Sequence, residues 1–255
     1  SKLNELFAKE LHVVNFGIES FYQDLVSQKQ PAVHVDWKPV AGGDKVAAAN
    51  LRKLKKPELL EKINAANQEA LRRILAAQPT LVGVGIAGEV IPGMDKKTVL
   101  HAGPPVTWER MSGPQKGAVM GGLIYEGLAR DLKEAEALAA SGEIKFDPCH
   151  MHNAVGPMAG VVTASMPVWI MENKTFGNRA YCTFNEGLGK VLRFGACDDE
   201  VLTRLRWLEK ELYPVLRDAM KLKGEIDIKV MIAKLLQMGD EAHNRNEAGT
   251  SLLIR

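Results

Sequence analysis

The sequence predicts a mixed α/β (α+β) fold: a parallel-type α/β unit at the N-terminus, a central glycine-rich α/β domain, and helices at the C-terminus. Three observations predict it. Short β-branched runs alternate with amphipathic stretches before residue 80, glycine and branched residues crowd the middle, and 3.6-residue apolar periodicity takes over after Glu200. These changes of texture suggest domains at 1–95, 96–199 and 200–255.

His12–Phe16 is a short strand candidate closed by Gly17. Phe21, Leu25 and Val26 then share one face of a helix over Glu19–Ser27, and Ala32–Trp37 is a second β-branched run before Gly42-Gly43-Asp44. Strand, helix and strand within about 30 residues make a parallel crossover, and such sheets bind ligands in the loop after the first strand. Lys45–Gln78 reads as helical. Pro57 suits the first turn of its second segment, Leu59, Leu60, Ile63, Leu71, Ile74 and Leu75 form an apolar stripe, and Pro79 closes it. Gly83–Gly88 spells GxGxxG, but a dinucleotide site needs a helix to open inside the motif, and Pro92-Gly93 leaves no room for one. A glycine-rich strand and turn is predicted instead. After a Gly103-Pro104-Pro105 loop, Ser112-Gly113-Pro114 opens a helix containing Gly117, Gly121 and Gly122. Each glycine costs about 1 kcal/mol against alanine, so close packing or the close approach of a ligand must offset it. Lys133–Ser141 is a further short helix, Glu200–Lys223 a strongly periodic one, and Ile228–Met238 another. Ser251–Arg255 ends the chain inside an apolar, helix-like pattern, which reads as a truncation or as a surface that more protein covers.

Lys and Arg number 33 against 31 Asp and Glu, a net charge of +2, with 46% hydrophobic and 25% charged residues. This is globular composition. Its balanced charge argues against a nucleic-acid or anionic-membrane binder, which needs a basic excess on one face, but leaves room for a phosphate-sized anion held by a few local donors. Cys149, Cys182 and Cys197 are odd in number and lack a CxxC pair, so reduced thiols are expected rather than a disulfide framework or zinc ribbon. No apolar run reaches the ~20 residues that cross a bilayer. Ser1-Lys2-Leu3-Asn4-Glu5 does not resemble the start of a secretory leader, so a cytoplasmic protein is expected.

The stretch densest in chemistry runs from Pro148 to Gly195. Pro148–Met158 packs Cys149, His150, His152 and Asn153 into a loop shaped by prolines and Gly156. His150 and His152 are spaced as two metal ligands with no evident third. A carbonyl-bonded structural histidine is the competing reading, and no metal is expected. Cys149 and His150, adjacent on an extended chain, point to opposite faces and make a poor nucleophile–base pair. Cys182 and Cys197 read as small core residues. Glu172-Asn173 and Gly177-Asn178-Arg179 follow the apolar run Val168–Met171, where polar residues commonly face a pocket. Glu186, Gly187, Gly189, Lys190 and Arg193 have the composition of an anion cradle, with solvated basic residues after a glycine turn as the alternative. Asp240 and His243 share a helical face, as an oriented general base would, unless Asp240 caps a helix start.

One signature comprises His101–Pro105, Trp108 and Met111–Ala118; a second comprises Cys149-His150, Asn153–Met158 and Thr163–Pro167. Glu172-Asn173, Gly177–Cys182, Asn185–Gly187, Gly189–Val191, Arg193–Gly195 and Met238–Glu241 with His243, Arg245 and Asn246 complete the pattern. In these motifs, over residues 101–255, the chain resembles the YahG/YlbE-like bacterial family, and Glu19–Phe21, His34–Trp37 and Gly42–Asp44 also look like its longer members. One branch of that family is assigned as a subunit of oxamate carbamoyltransferase in anaerobic allantoin breakdown, usually encoded beside an FdrA-like protein resembling acyl-CoA synthetases. The resemblance implies a carbamoyltransferase-type subunit in purine nitrogen metabolism. It would handle a small anionic substrate (carbamoyl phosphate, oxamate) in a hetero-oligomer with an FdrA-like partner; no cofactor is expected. The Ser-Thr-Arg-Thr loop of aspartate and ornithine carbamoyltransferases is missing, so the site architecture must differ. Carbamoyl transfer needs a phosphate clamp, donors to the developing oxyanion and a proton acceptor. The residues expected to supply them are Lys190, Arg193 and Arg179 as clamp, and Asn153, Asn173 and Asn178 as donors. His150 or His243 is expected as base, oriented by Glu186 or Glu172, with His101 also at the substrate. Two alternatives stand beside this reading: a non-catalytic assembly subunit, and a metal-dependent amidohydrolase resting on His150 and His152.

Overall fold

The computed structural model describes residues 10–156, 160–184, 189–240 and 247–254. Strand β1 (Val13–Phe16), helix α1 (Glu19–Ser27) and strand β2 (Ala32–Val35) form the expected crossover, the strands parallel from Val13↔Ala32 to Phe16↔Val35. The helical stretch is two helices, α2 (Lys45–Leu54) and α3 (Pro57–Ala76). Asp44 caps α2, its Oδ1 accepting the Val46 and Ala47 N–H groups at 2.8 and 2.9 Å. The chain forms two compact units that divide between Arg72 and Arg73, inside α3. Among the described residues of the first unit only Ala48 is buried.

The second unit begins with β3 (Pro79–Ile86), a single helical turn α4 (Ala87–Val90) and β4 (Thr98–His101). It continues through α5 (Gly113–Tyr125), α6 (Leu132–Ala140), β5 (Lys145–Pro148), β6 (Ala154–Val155), β7 (Val161–Val162), β8 (Pro167–Asn173) and β9 (Arg179–Thr183). Helices α7 (Asp199–Trp207) and α8 (Tyr213–Lys223), strand β10 (Ile226–Asp227), and helices α9 (Ile228–Gln237) and α10 (Glu247–Ile254) complete it. One sheet runs β10-β3-β8-β9-β6, antiparallel except for β6 beside β9; the other runs β5-β4-β7. Strands β4 and β5 are parallel and joined through α5 and α6, so a second crossover lies in the middle of the chain. Val99 packs into a core with Ala118, Val119 and Leu123 of α5, whereas Leu100 packs with Ala87, Ile91, Cys149 and Val162. Covered on both faces, β4 is buried at every position.

Three sequence expectations gain detail here. A helical turn does open within Gly83–Gly88, as α4, but it lasts only four residues. The Ala87 and Gly88 N–H groups donate to the Met166 and Ala164 carbonyls at 2.9 and 2.7 Å, so they are not offered to a phosphate. The α5 glycines serve close packing. A Cβ on Gly117 would lie 2.8 Å from Gly195 Cα, one on Gly121 2.7 Å from Cys197 Cβ, and one on Gly122 2.9 Å from Thr163 Cγ2. The predicted helix over Glu200–Lys223 is interrupted by a π-helical stretch, Leu208–Leu212. Pro214 accounts for it: the residue has no N–H to donate and its ring crowds the carbonyl four positions back, and the wider turn relieves both problems.

Candidate functional site

The C-terminal edge of the parallel β4–β5 pair is where a crossover sheet presents ligand-binding groups. His101 ends β4 opposite Pro148 of β5 and Val161 of β7. Its side chain is fully buried. Nδ1 lies 3.0 Å from the Ala102 carbonyl, which fixes the proton on that nitrogen and leaves Nε2 as an acceptor. Among the described residues Nε2 has no hydrogen-bond partner, and neither has the buried Thr163 Oγ1. Beyond β5 the chain makes a 3-10 turn, Cys149–His152, rather than the extended segment used to separate Cys149 from His150. Burial is what silences Cys149, pushing its thiol up to about 11, while His150 is exposed. His152 has both ring nitrogens engaged, Nδ1 with the Pro92 carbonyl at 3.0 Å and Nε2 with Asp147 Oδ2 at 2.9 Å. With both contacts made, no nitrogen remains for a metal. Among the described residues no group of three or more metal-ligating side chains forms. Asn153 follows in a left-handed conformation (φ 53°), and its carbonyl accepts the Tyr181 N–H at 2.9 Å, tying this turn to β9.

The other predicted residues lie in two further places. Asn173, Asn178 and Arg179 form the β8–β9 hairpin. The Asn173 Oδ1 accepts N–H groups from Gln78 and Thr175 at 3.1 and 3.2 Å, and its backbone N–H donates to the Asn178 carbonyl at 2.9 Å. Arg179 donates from Nε and Nη2 to Glu172 Oε2 at 3.0 and 2.9 Å. Lys174, bonded to both Glu172 and Glu225, and Arg179 hold the Glu172 carboxyl below its usual range. These polar atoms therefore pin the hairpin to β3 and to the chain before β10. Lys190 and Arg193 belong to a loop after β9. Lys190 pairs with Asp198 at 3.0 Å, and the Arg193 guanidinium lies 5.0 Å from the Phe194 ring centroid. Glu186 and His243 lie outside the described residues, and Asp240 Oδ2 accepts the Ala248 N–H at 3.2 Å. The chain positions of His101, His150 and Asn153 thus fall at the β4–β5 edge, the first fully buried and the other two exposed.

A polar cluster went unread in the sequence. Glu126 grips Ser165, Oε1 accepting its N–H at 2.7 Å and Oε2 its hydroxyl at 2.8 Å. The Tyr125 hydroxyl lies 2.7 Å from Glu209 Oε2 and 3.1 Å from the Ser165 carbonyl. Burial and the Glu209 carboxylate raise the Tyr125 phenol above its usual range, so it stays a donor. Glu209 is delivered by the π-helical stretch. Partners 39 and 84 residues apart leave no local pattern to read. The cluster clamps the Thr163–Pro167 motif beside a cavity of about 20 Å³, room for one water. Neither this cavity nor a larger one between α8, α9 and α10 is lined by a predicted site residue.

Fold and site together define a mixed α/β protein with imidazole and carboxamide groups at the edge of a parallel crossover. Residues 144–255 match the family model described as oxamate carbamoyltransferase subunit AllG. The chain is 52% identical to the uncharacterized protein YahG of Escherichia coli (strain K12) over 250 residues, 98% of this chain and 53% of that protein. It is 48% identical to the oxamate carbamoyltransferase subunit AllG of the same organism over 192 residues, 74% of this chain and 46% of that one. A crystal structure of a conserved protein of unknown function from Enterococcus faecalis V583 superimposes with a TM-score of 0.74 at 52% identity, covering 78% of this chain and 48% of the other. The chain belongs to the YahG/AllG-like family and spans about half the length of these relatives. Among the described residues no helix is long and apolar enough to cross a membrane.

Proposed function

We propose that this chain is part of a carbamoyltransferase-type enzyme of the oxamate carbamoyltransferase kind. It would act in allantoin breakdown within a cytoplasmic hetero-oligomer that includes an FdrA-like subunit. The observation that carries the reading is the 48% identity to the AllG subunit over 192 residues. In the reaction, the oxamate amide nitrogen attacks the carbamoyl carbon of carbamoyl phosphate. The carbon–oxygen bond to phosphate breaks with its electron pair leaving on phosphate, and the nitrogen gives up a proton, yielding oxalurate.

The β4–β5 edge supports the chemistry. Among the described residues the buried His101 Nε2 lacks a hydrogen-bond partner and would meet a substrate N–H only if the edge opens, the exposed His150 is the proposed proton acceptor, and the Asn153 amide the proposed donor to the developing oxyanion. His243 and Glu186 remain part of the proposal as second base and orienting carboxylate. Arg179, Lys190 and Arg193 would share any phosphate with contacts they already make inside the protein, and Asn173 and Asn178 would have to act from the hairpin. These internal contacts favour a second reading, in which the chain organises the complex and another subunit carries the chemistry.

The test is oxalurate formation from carbamoyl phosphate and oxamate by the full-length protein assembled with its partner subunits. His150→Ala is expected to cut turnover by about 10²–10⁴-fold, the usual loss for a general base. Wild-type turnover in that variant removes His150 from the site. If the full-length protein alone binds no carbamoyl phosphate by calorimetry yet binds its partner, the organising role is the correct one.

A further inference from the structure

Five His, Thr and Gln side chains are buried among the described residues, and two of them are satisfied. Thr98 Oγ1 donates to Asp95 Oδ1 at 2.9 Å, and Thr80 Oγ1 to the Gln78 carbonyl at 3.4 Å. The other three are His101, Thr163 and Gln115, exposed by 0%, 1% and 9%. Among the described residues His101 Nε2, Thr163 Oγ1 and the Gln115 carboxamide have no hydrogen-bond partner. A buried polar group left unpaired costs about 1–3 kcal/mol, so each exception needs a cause. These three share one layer of the molecule. Alternation puts His101 on the face of β4 that carries Val99, which packs with Ala118 and Val119 of α5. Gln115 stands on that face of the helix, three and four positions before those two residues, and Thr163 Cγ2 meets α5 at Gly122. In a parallel crossover the helix starts at the edge where the preceding strand ends, so His101 and Gln115 belong to one corner. Lys116 follows on the same first turn, its Nζ 5.0 Å from the Trp108 ring centroid. It pairs with no carboxylate among the described residues, and Glu109, the acid that senses its charge, is beyond ion-pair distance. Ser112 Oγ caps α5 by accepting the Gln115 N–H at 3.4 Å, so side chains rather than the helix start itself would meet a ligand here.

We propose that the corner between β4 and α5 binds a small carboxylate that carries a primary amide. His101 Nε2 accepts an amide N–H, the Gln115 carboxamide donates to the ligand carbonyl oxygen, and Lys116 reaches the carboxylate on its flexible stem. Hydrogen bonding rather than net charge selects this class, because an anion without an N–H leaves the buried Nε2 unpaired. Resting on the carbamoyltransferase reading above, the ligand is oxamate, the acceptor, which makes Gln115 and Lys116 substrate-binding residues. His101 is sealed in this structure, so the connection over residues 102–107, exposed at 103–105 and 107, moves to admit the ligand.

Calorimetric titration of the full-length protein, assembled with its partner subunits, with oxamate and in parallel with pyruvate tests this. Pyruvate has the shape and charge of oxamate but a methyl group in place of the amide nitrogen. Saturable oxamate binding is expected, at least about tenfold tighter than that of pyruvate. Gln115→Leu and Lys116→Met are each expected to weaken oxamate binding by about tenfold, with circular dichroism and the KM for carbamoyl phosphate unchanged. Equal affinity for oxamate and pyruvate, no saturable oxamate binding, or unchanged oxamate affinity in both variants overturns the proposal. A rise in the carbamoyl phosphate KM with oxamate affinity intact also overturns it, since the corner then holds the other substrate. The wild-type comparison of the two ligands decides the matter even if Gln115→Leu does not fold. An assembly that prefers oxamate in this way but forms no oxalurate sinks the carbamoyltransferase reading and leaves the site. Oxalurate formation with oxamate affinity unchanged in both variants does the reverse.

Discussion

The chain contains two parallel crossovers that share a topology and differ in what surrounds them. In the first, β1 and β2 pair over four residues, α1 has no buried residue, and Val14, Phe16 and Val33 are 55%, 63% and 62% exposed. In the second, β4 is buried at all four positions, with α5 on one face and the α4–Cys149 cluster on the other. A parallel pair is stable where both faces are covered. Alternating apolar residues and a helix of the right length therefore suffice to draw a crossover but not to bury one. Burial requires a partner layer on each side. In the second crossover α5 is itself covered in turn, its Gly117 and Gly121 letting the Leu192–Cys197 loop come within van der Waals range.

The largest expected effect contrasts the two directly. Leu100→Ala removes a fully buried side chain and should destabilise the second unit by about 2–5 kcal/mol, the range for such cavities. Val14→Ala, at the matching kind of position in the first crossover, should cost under about 1 kcal/mol because little contact is lost. Urea unfolding followed by tryptophan fluorescence separates the units, since Trp37 lies in the first and Trp108 and Trp169 in the second. A Val14→Ala cost equal to that of Leu100→Ala would mean that the faces of the first crossover are covered in solution, and the contrast would fail.

A smaller effect isolates the role of the glycines. Gly121→Val brings carbon into the space held by Cys197 and Leu192, and should cost about 1–3 kcal/mol by overpacking. Gly113→Ala, on the same helix where nothing lies within 4 Å, should stay within about 0.5 kcal/mol. Thermal unfolding of both variants checks the pair. Equal shifts would mean that the glycines are incidental to the packing.

Much of the scaffold was legible because local chemistry states it. Pro57 and Ser112-Gly113-Pro114 mark helix starts, and the periodicity from Glu200 to Lys223 marks a helix that the structure keeps, except over the π-helical stretch before Pro214. The sheets were less legible. β6, β7 and β10 are two residues each, too short for alternation to show, and β4 escapes a period-2 reading because both of its faces are buried. At the candidate site, residue types could be read but not their partners. The β-strand ending at His101 lies beside the one that leads into His150 and Asn153, a neighbourhood set by a long crossover through α5 and α6. Asn173 and Arg179 look like pocket residues in sequence, yet their hydrogen bonds reach Gln78 and across the hairpin to Glu172. The Asp147 partner of His152, only five residues upstream, was within reach of the sequence and shows that spacing alone does not announce a pair.

That pair gives the smallest and most specific effect, because it links the edge of the buried crossover to pH. Lys145, at 2.6 Å, and His152, at 2.9 Å, hold the Asp147 carboxyl below its usual range. A carboxyl whose folded pKa is depressed contributes stability that is complete above its unfolded value of about 3.9 and is lost as pH falls through the folded value. Asp147→Asn keeps the shape and removes the charge, so it should cost about 1–2 kcal/mol near pH 7, most of it from the His152 contact because Lys145 is largely solvated. The gap between wild type and variant should hold down to about pH 5, begin to narrow near pH 4 and close only as pH falls through the depressed folded value of the carboxyl. Unfolding curves for both proteins across that range provide the check. The ion pairs flanking the strands of the first crossover, His12 with Glu10 and Lys38 with Asp36, are solvated on both sides, so an equivalent acid dependence reported by Trp37 would place the titrating group elsewhere. A gap that does not narrow at all between pH 5 and pH 3 would show that the Asp147→Asn variant fails for its geometry rather than for its missing charge.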